Sequence, residues 1–449
     1  MVVLAGAFCP QPWGAEAVFA ATPAPEIEAL GGIVIDAHSG KVLYSKNENA
    51  RYEPASMTKI MTCILALENL KLTDVVTIDN ETSFTGGSRI YLIEGEQITV
   101  QNLLYALMLE SANDSAVALA KAVAGSVPDF AKMMNDKAKE LGCTGTNFVN
   151  PNGLHEEGHL STCHDMALIA KYAMENPTFR ELCTTYTYTV PATNKQPERY
   201  LYNTNRLLYD NKTQVVVKGV KRGCKYEGCT GIKTGYTPDA GGCLTSGAKN
   251  GETEIISVVM ASSDLGRFAD TISLFDWTFE NYHAAKGAEK GQVLGTAPVK
   301  GGEVKEVGIA TADESYVLLP AEASSALIST KVVLFEELRA PLKKGDKAGT
   351  LEIYAGDEKL DSVDIVVTED VREGTIFALF GLNNKKAYIL MGVVGVIALL
   401  ILIFVLYVAV LNARRRKAKR LRRQQRAMEI ARQRAELAED QRMRDWFFN

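Results

Sequence analysis

The spacing of hydrophobic residues changes along the chain and predicts which parts form helices and which form strands. Two short β-like runs, 32–36 and 41–44, flank the turn residues 37–40, which predicts a hairpin. Helical spacing follows, and we expect helices at about 54–70, 103–108, 116–123, 128–141 and 164–174. The segment 186–217 mixes tyrosine, β-branched and polar residues, which indicates strands joined by a long irregular excursion of the chain.

Further along, the spacing becomes that of strands and then of one more helix. Strands are predicted at 230–237, 242–248 and 253–261, followed by a helix at 266–282. The face formed by Phe268, Ile272, Phe275 and Trp277 should pack on those strands. Helices combined with antiparallel strands indicate an α+β fold.

Residues 291–369 have an all-β character, with short alternating runs separated by Gly, Lys and Asp turns. We expect strands at 304–310, 316–319, 331–336, 350–354 and 362–367, forming a small sandwich or barrel-like module. No catalytic cluster stands out there, so a spacer or docking role is favoured. The domain prediction is a catalytic domain at 27–285 and a β-rich domain at 291–370.

A membrane span is predicted at 387–411, which are 25 consecutive uncharged, mostly aliphatic residues. About 20 such residues are enough to cross a bilayer. The basic run 414–423 comes directly afterwards, so the positive-inside rule places the tail 412–449 in the cytoplasm and the preceding domains outside. This position beside a span argues against a nucleic-acid partner for the basic run.

Composition and charge agree with that organisation. The 449 residues are 47% hydrophobic and 23% charged, which suits a folded protein of two or three domains. The net charge of −5 divides into +8 for 414–449 and −13 for the rest. Residues 1–20 resemble a signal peptide, although they lack a basic start and carry Glu16, so either the true start lies upstream or the signal is atypical.

Removal of Cys9 with that signal leaves seven cysteines, so at least one thiol stays unpaired within the chain. Cys224 and Cys229 flank a short loop and could pair if the loop is a hairpin. The others are scattered like small hydrophobic residues and do not suggest a disulfide framework.

Chemistry is suggested first at Ser56 and Lys59, which stand three apart in a predicted helix that begins near Pro54. A lysine amine can take the serine proton when burial lowers its pKa, and the helix N-terminus favours a developing oxyanion. The Ser-x-x-Lys pattern alone is weak, since about one or two copies arise by chance in a chain of this length.

Two further motifs follow in order. Ser111 and Asn113 lie in a predicted inter-helix loop and offer a hydroxyl and an amide. Lys233, Thr234 and Gly235 lie on a predicted strand, where Lys and Thr can hold a carboxylate and Gly allows close approach of a substrate backbone. Each motif is weak by itself, but three in this order on helix, loop and strand are specific.

The three motifs together resemble those of penicillin-recognising acyl-serine enzymes. Over residues 30–370 the chain is similar to the D-alanyl-D-alanine carboxypeptidases, the low-molecular-mass penicillin-binding proteins. Further similar stretches are 150–154, 159–167, 203–208 and 230–235. The resemblance implies the transpeptidase fold shared by penicillin-binding proteins and β-lactamases, with a trailing β-domain.

The resemblance also implies roles for individual residues. Ser56 would be the acylated nucleophile, Lys59 its general base, Ser111 a proton relay and Asn113 a contact to the substrate backbone. Lys233 and Thr234, with Gly235 beside them, would recognise the terminal carboxylate, assisted by Arg267. The N–H groups of Ser56 and Tyr236 would form the oxyanion hole. A solvated Arg at a helix start is the alternative for Arg267.

Two departures limit what the resemblance implies. Ala112 stands where many family members have Gly, a small change that should preserve function. The full membrane span and basic tail stand where the family often has an amphipathic anchor, so the mode of anchoring and any cytoplasmic partner lie outside the resemblance.

His155 and His159 match the H-E-x-x-H pattern of zinc peptidases. That site needs both histidines on one face of a helix, whereas Pro151, Gly153 and Gly158 predict a loop. We therefore expect no metal and no other cofactor.

The resulting prediction is a membrane-anchored serine D-Ala-D-Ala carboxypeptidase with peptidoglycan stem peptides as substrates and β-lactams as ligands. A β-lactamase is the nearest alternative, but no equivalent of the deacylating Glu of class A enzymes stands out. A catalytically decayed wall-binding scaffold is the second alternative, and the intact motifs argue against it. The oligomeric state cannot be derived from the sequence.

Overall fold

The structure is a computed structural model that describes residues 23–374 and 384–447, so the predicted signal peptide lies outside the described residues. The α-helices of the described part are α1 (Lys59–Asn69), α2 (Asn80–Ser83), α3 (Val100–Leu109), α4 (Asn113–Ala124), α5 (Val127–Glu140), α6 (Cys163–Met174), α7 (Pro177–Thr184), α8 (Gly266–Asn281) and α9 (Asn384–Phe447).

The strands up to the end of the central sheet are β1 (Gly31–Asp36), β2 (Val42–Lys46), β3 (Val75–Thr77), β4 (Gln97–Thr99), β5 (Thr187–Val190), β6 (Arg199–Tyr202), β7 (Gln214–Val217), β8 (Val220–Gly223), β9 (Cys229–Thr237), β10 (Gly241–Asn250) and β11 (Thr253–Ser262). The later strands are β12 (Tyr282–Ala288), β13 (Val293–Lys300), β14 (Glu306–Thr311), β15 (Ser315–Pro320), β16 (Ile328–Leu334), β17 (Leu338–Arg339), β18 (Lys347–Ala355) and β19 (Glu358–Val367).

The described chain divides into two compact units. The first contains 23–292, 311–333 and 350–364, and the second contains 293–310, 334–349, 365–374 and 384–447. The domain boundaries drawn from the sequence remain predictions.

A five-stranded antiparallel sheet forms the centre of the first unit, with strand order β2-β1-β11-β10-β9. Alternate residues of each strand face opposite sides, so the sheet has two apolar faces. In β11, Val258 joins the core shared with α1 and α3–α7, whereas Val259 joins the core shared with α8. The sheet is therefore covered by helices on both faces, as the α+β prediction required.

Helix α8 packs as its apolar spacing predicted. Phe268, Ile272, Phe275 and Trp277 all lie in the core between α8 and the sheet. Burying a large apolar side chain stabilises a fold by about 1.5–3 kcal/mol, so this face alone accounts for several kcal/mol of gross stabilisation. The predicted strands around 230–261 are also confirmed, as β9, β10 and β11.

The helix predicted to begin near Pro54 differs from the observed one. Residues Ala55–Thr58 form a 3₁₀ turn and the α-helix begins at Lys59. Ala55 has a φ of +45°, a left-handed conformation that an alanine adopts at a cost. Contacts with β9 and with the loop before α6 hold this turn, and neither is visible as a local sequence pattern.

Other predictions are confirmed with small shifts, and some elements were missed. Helices α3, α4, α5 and α6 and the β1–β2 hairpin lie where they were predicted. The five strands expected after residue 291 overlap β14, β15, β16, β18 and β19. The elements that were not predicted are helices α2 and α7 and strands β3, β4, β12, β13 and β17, and most of these are too short for a clear hydrophobic period.

The second unit contains a β-sheet built around strand β13. Strand β13 pairs antiparallel with β14 and parallel with β17. Helix α9 contains the predicted span, and among the described residues its 385–444 segment is the one helix long and apolar enough to cross a membrane. Its apolar side chains are exposed, as lipid-facing side chains would be.

All seven described cysteines are free thiols. Cys224 and Cys229, which the sequence allowed to pair, do not form a disulfide. Burial raises the pKa of the Cys63 and Cys243 thiols, so these groups act as small apolar core residues.

Candidate active site

Ser56 lies in the 3₁₀ turn that precedes α1, where it is partly exposed. Lys59, the first residue of α1, directs its side chain back so that Nζ donates to Ser56 Oγ at 2.8 Å. The predicted three-residue spacing therefore brings the amine and the hydroxyl into contact, although through a 3₁₀ turn and not a regular α-helical turn.

Lys59 is completely buried and also donates to the carbonyl oxygen of Asn152 at 2.6 Å. Burial and the nearby positive charge of Lys233 hold its pKa well below the usual value for lysine, and Asp114 opposes them in part. A neutral amine in contact with a serine hydroxyl can act as a base.

The loop 150–154 is packed tightly against the serine turn. Gly153 has a φ of +81°, and a Cβ there would lie 1.9 Å from the carbonyl oxygen of Ala55. Asn150 Oδ1 accepts from the Gly153 N–H at 2.8 Å and holds the loop in shape. From the sequence, this stretch was similar to the family but was given no part in the site.

His159 joins the same loop to the serine turn. It is 2% exposed, and its Nδ1 accepts from the N–H of Val149 at 3.0 Å. The neutral ring therefore carries its proton on Nε2, which lies 2.8 Å from Thr58 Oγ1 and donates to it. Burial and the charge of Lys59 lower the pKa of His159 to about 4.

Ser111 lies between α3 and α4, as the sequence predicted, whereas Asn113 was expected in the same loop but is the first residue of α4. Both are buried. Ser111 has a φ of +59°, and its Oγ has no hydrogen-bond partner among the described residues. Asn113 Nδ2 donates to the carbonyl of Gly86 at 2.8 Å, while its Oδ1 is buried without a partner in the described part of the chain. Buried polar atoms usually have partners, so unpaired ones mark a place for a ligand or water.

Strand β9 brings the third motif beside the serine. A Cβ on Gly235 would lie 3.2 Å from the Ser56 nitrogen and 3.0 Å from the carbonyl oxygen of Pro54, so a larger residue would push the strand away. Thr234 is buried, and its Oγ1 lies 2.7 Å from Thr204 Oγ1. Tyr236 is 56% exposed at the end of the motif.

Lys233, on β9, and Arg267, on α8, form a buried positive group. Burial and the charge of Arg267 lower the pKa of Lys233 to about 7, although Glu110 opposes them. Arg267 is 9% exposed and donates from Nη1 to the Gly235 carbonyl at 2.7 Å and from Nη2 to Asp264 at 2.6 Å. Its position is not that of a solvated surface arginine, which was the alternative.

The H-E-x-x-H segment does not form the helix that a zinc peptidase needs. Residues 155–159 lie in a loop, with His155 exposed and His159 buried. His155 Nδ1 lies 2.7 Å from Glu53 Oε1, whereas both ring nitrogens of His159 have protein partners. The two rings therefore do not share one face, as the sequence indicated.

Comparison with known proteins agrees with this geometry. Residues 17–264 match the family model of D-alanyl-D-alanine carboxypeptidases, and residues 282–373 match the C-terminal domain of penicillin-binding protein 5. The chain is 35% identical to D-alanyl-D-alanine carboxypeptidase DacF of Bacillus subtilis over 353 residues, which cover 77% of this chain and 86% of that one. The chain belongs to the D-alanyl-D-alanine carboxypeptidase family.

This carboxypeptidase is also 32% identical to DacC of Escherichia coli, over 82% of its own length and 90% of that protein. Among solved structures it is similar to penicillin-binding protein 5 of Haemophilus influenzae, with a TM-score of 0.61 and 28% identity over 78% of this chain and all of the other. Penicillin-binding protein 3 of Streptococcus pneumoniae matches with a TM-score of 0.63 and 25% identity, over 77% of this chain and all of that one.

Family membership makes this carboxypeptidase a serine hydrolase of the D-Ala-D-Ala type. The comparisons favour this activity over both alternatives drawn from the sequence, a β-lactamase and a decayed scaffold. The penicillin-binding fold is likewise confirmed. The protein also has a C-terminal apolar helix that is long enough to anchor it in a membrane.

Proposed function

We propose that Ser56 is the acylated nucleophile and Lys59 its general base. The observation that carries this proposal is the 2.8 Å contact between Ser56 Oγ and an amine that is fully buried. Because the pKa of Lys59 is lowered, a neutral amine is available to take the hydroxyl proton. The carbonyl of Asn152, at 2.6 Å from Lys59 Nζ, keeps the amine pointed at the serine.

In the proposed reaction Ser56 Oγ attacks the carbonyl carbon of the penultimate D-alanine. The bond to the terminal D-alanine breaks, its nitrogen receives a proton, and an ester remains on Ser56. The unpartnered hydroxyl of Ser111 is available to pass that proton. Water then hydrolyses the ester. The N–H groups of Ser56 and Tyr236 are proposed as the oxyanion hole, which the close packing of Gly235 on the Ser56 nitrogen supports.

Carboxylate recognition is proposed for Lys233, Thr234 and Arg267, with Gly235 allowing close approach of the substrate. The two cationic side chains, one on β9 and one on α8 beside it, create a positive potential where a terminal carboxylate would bind. Arg267 has a second effect, since its bond to the Gly235 carbonyl holds the strand against the serine turn. The free Oδ1 of Asn113 is proposed to accept from a substrate amide.

The proposed substrates are peptidoglycan stem peptides ending in D-Ala-D-Ala, and β-lactams are proposed to acylate the same serine. The proposed location is the cell membrane, with one crossing, the catalytic domain on the extracytoplasmic face and the tail 412–449 in the cytoplasm. The ten-residue basic run after the apolar segment supports that orientation. No metal or other cofactor enters any proposed step.

The nucleophile is tested by following the intact mass of the full chain in detergent during incubation with benzylpenicillin. We expect a persistent one-to-one adduct on the peptide that contains Ser56. Ser56→Ala should give no adduct, whereas Ser83→Ala, a serine of α2, should acylate like wild type. An adduct on the Ser56→Ala protein would refute the assignment, and rapid adduct loss with consumption of penicillin would favour a β-lactamase.

Orientation is tested with a C-terminal epitope in spheroplasts. External protease should digest residues before 384 and leave the epitope intact until the membrane is lysed. Removal of 384–449 should release the protein from the membrane fraction. Digestion of the epitope in intact spheroplasts would reverse the proposed orientation.

A further inference from the structure

Four tyrosines of the first unit form a continuous surface outside the residues proposed for catalysis. They are called here the tyrosine strip: Tyr186 lies between α7 and β5, Tyr200 and Tyr202 lie on β6, and Tyr209 lies in the segment after β6. The ring of Tyr186 lies 6.3 Å from that of Tyr202 and 4.2 Å from that of Tyr209, between centroids. Tyr200 is two residues from Tyr202 on one strand, so both rings project from the same face.

These rings are not needed to fill the core. Tyr200 is 61% exposed, Tyr202 53% and Tyr186 45%. The inward positions of the same hairpin are filled by Leu201, which is buried, and by Tyr188, which stacks on Tyr105 at 3.7 Å. Single exposed aromatic residues are common, but a contiguous strip of them is typical of a binding surface.

The strip is continuous with the proposed carboxylate site. The N–H of Tyr202 donates to Glu110 Oε1 at 2.7 Å, and Glu110 directly precedes Ser111. Two residues after Tyr202, the exposed Thr204 lies 2.7 Å from Thr234 through the two hydroxyl oxygens. The strip therefore begins beside the place where the terminal carboxylate of the peptide is proposed to bind.

We propose that the tyrosine strip binds the glycan of peptidoglycan, an alternating chain of N-acetylated amino sugars. This inference rests on the proposed function, because it adds a binding subsite to the same catalytic centre. Pyranose rings present apolar C–H faces and a polar rim, and tyrosine offers an apolar ring with a polar tip. Thr187 and Thr189, which lie opposite Tyr202 and Tyr200 in the hairpin, supply further hydroxyl groups for the rim.

The position of the strip also selects which glycan it holds. Thr234 is proposed to hold the carboxylate of the terminal D-alanine, so the strip lies on the side where the cut peptide ends. The bound sugars therefore belong to a neighbouring strand of the polymer and not to the strand that carries the cut peptide. Polymeric peptidoglycan should then be a better substrate than a short peptide, because the strip raises the effective concentration of cleavable ends.

The test compares a Tyr200→Ser/Tyr202→Ser double variant with wild type, using the full chain in detergent. Binding of the soluble β-1,4-linked hexamer of N-acetylglucosamine is measured by titration calorimetry. D-alanine release is measured from insoluble pentapeptide-rich peptidoglycan and from an acetylated tripeptide ending in D-Ala-D-Ala. We expect hexamer binding to weaken by about tenfold or more, and the ratio of polymer to tripeptide turnover to fall by a similar factor.

Two control variants separate loss of the strip from loss of structure. Val216→Ser/Val220→Ser changes two exposed positions of the β7–β8 hairpin, at 55% and 65% exposure, and should leave hexamer affinity and the turnover ratio unchanged. Tyr200→Phe/Tyr202→Phe keeps the rings and should retain most of the hexamer affinity.

Several outcomes would overturn the proposal. One is a Tyr200→Ser/Tyr202→Ser variant whose hexamer affinity and turnover ratio equal those of wild type. Another is a Val216→Ser/Val220→Ser control that loses as much hexamer affinity and turnover ratio as the tyrosine variant. If the Tyr200→Ser/Tyr202→Ser variant bound anionic phospholipid vesicles more weakly than wild type but bound the hexamer equally well, the strip would face lipid and not glycan. Failure of the proposed function would be seen separately, because wild type would then form no benzylpenicillin adduct. The hexamer titration does not depend on acylation, so it would still test whether the strip binds glycan.

Discussion

His159 should make the stability of the first unit depend on pH in a way that a single substitution removes. Its ring is buried and neutral, since Nδ1 accepts from the Val149 N–H and Nε2 donates to Thr58 Oγ1. A proton added to Nδ1 would break the first of these bonds and place a charge beside Lys59. Folding therefore opposes protonation of this residue.

The direction in which stability changes with pH follows from the pKa of His159 in the folded and in the unfolded state. The pKa is about 4 in the folded protein, against 6.5 when the ring is free in the unfolded chain. The unfolded state therefore binds the proton first as pH falls. The stabilising contribution is present above pH 6.5 and is lost progressively towards pH 4. Between pH 7.5 and pH 5.0 the folded state should lose about 2 kcal/mol through this residue.

The assay is denaturant unfolding of the full chain in detergent at pH 7.5 and pH 5.0, monitored by near-ultraviolet circular dichroism. His159→Gln should be less stable than wild type at pH 7.5 but should lose about 2 kcal/mol less between the two pH values. His283→Gln, in the half-buried strand β12, is the control and should behave like wild type. His38 and His155 have raised pKa values with the opposite effect, but they are present in every variant and cancel.

Two results would refute this reasoning. A His159→Gln protein with the same pH dependence as wild type would show that His159 is not the titrating group. A His159→Gln protein that loses more stability than wild type between pH 7.5 and pH 5.0 would reverse the predicted sign.

Three further predictions follow from the geometry of the site. Gly153→Ala should cost about 3 kcal/mol or more and strongly slow acylation by benzylpenicillin, because its Cβ would overlap the Ala55 carbonyl. Gly251→Ala, with a φ of +59° but no atom within 4 Å of its Cβ, should cost only about 1 kcal/mol in the same unfolding assay, and equal losses would contradict the packing argument. The value of kcat/KM for a D-Ala-D-Ala peptide should fall as pH rises above 7, since the Lys233 amine loses its charge in the free enzyme, and an amidated peptide without the carboxylate should lack this decline. Lys233→Ala should raise KM for the peptide by about tenfold or more with a smaller change in kcat, and a change confined to kcat would contradict a role in carboxylate recognition.

Much of this fold was predictable because it depends on local spacing. A regular hydrophobic period identified the apolar face of helix α8 and the three strands β9–β11. The 25-residue apolar segment was identified by its length, because few structures other than a membrane-spanning helix contain so long an apolar run. The main residues of the site were also predictable, since Ser56, Lys59, Ser111, Asn113 and Lys233 stand in short motifs whose order is specific. Sequence alone thus determined the family, the long apolar C-terminal helix and the candidate chemistry.

Only the tertiary structure decided how those motifs meet. The left-handed Ala55, the Asn152 carbonyl on Lys59 and the neutral His159 all depend on contacts between segments about a hundred residues apart. The lowered pKa of Lys59 likewise comes from complete burial, with Lys233 brought close by β9. A motif shows which groups are present, but hydrogen-bond partners and desolvation are set by the surrounding chain. These lower the pKa of Lys59, which the proposed role as a base requires.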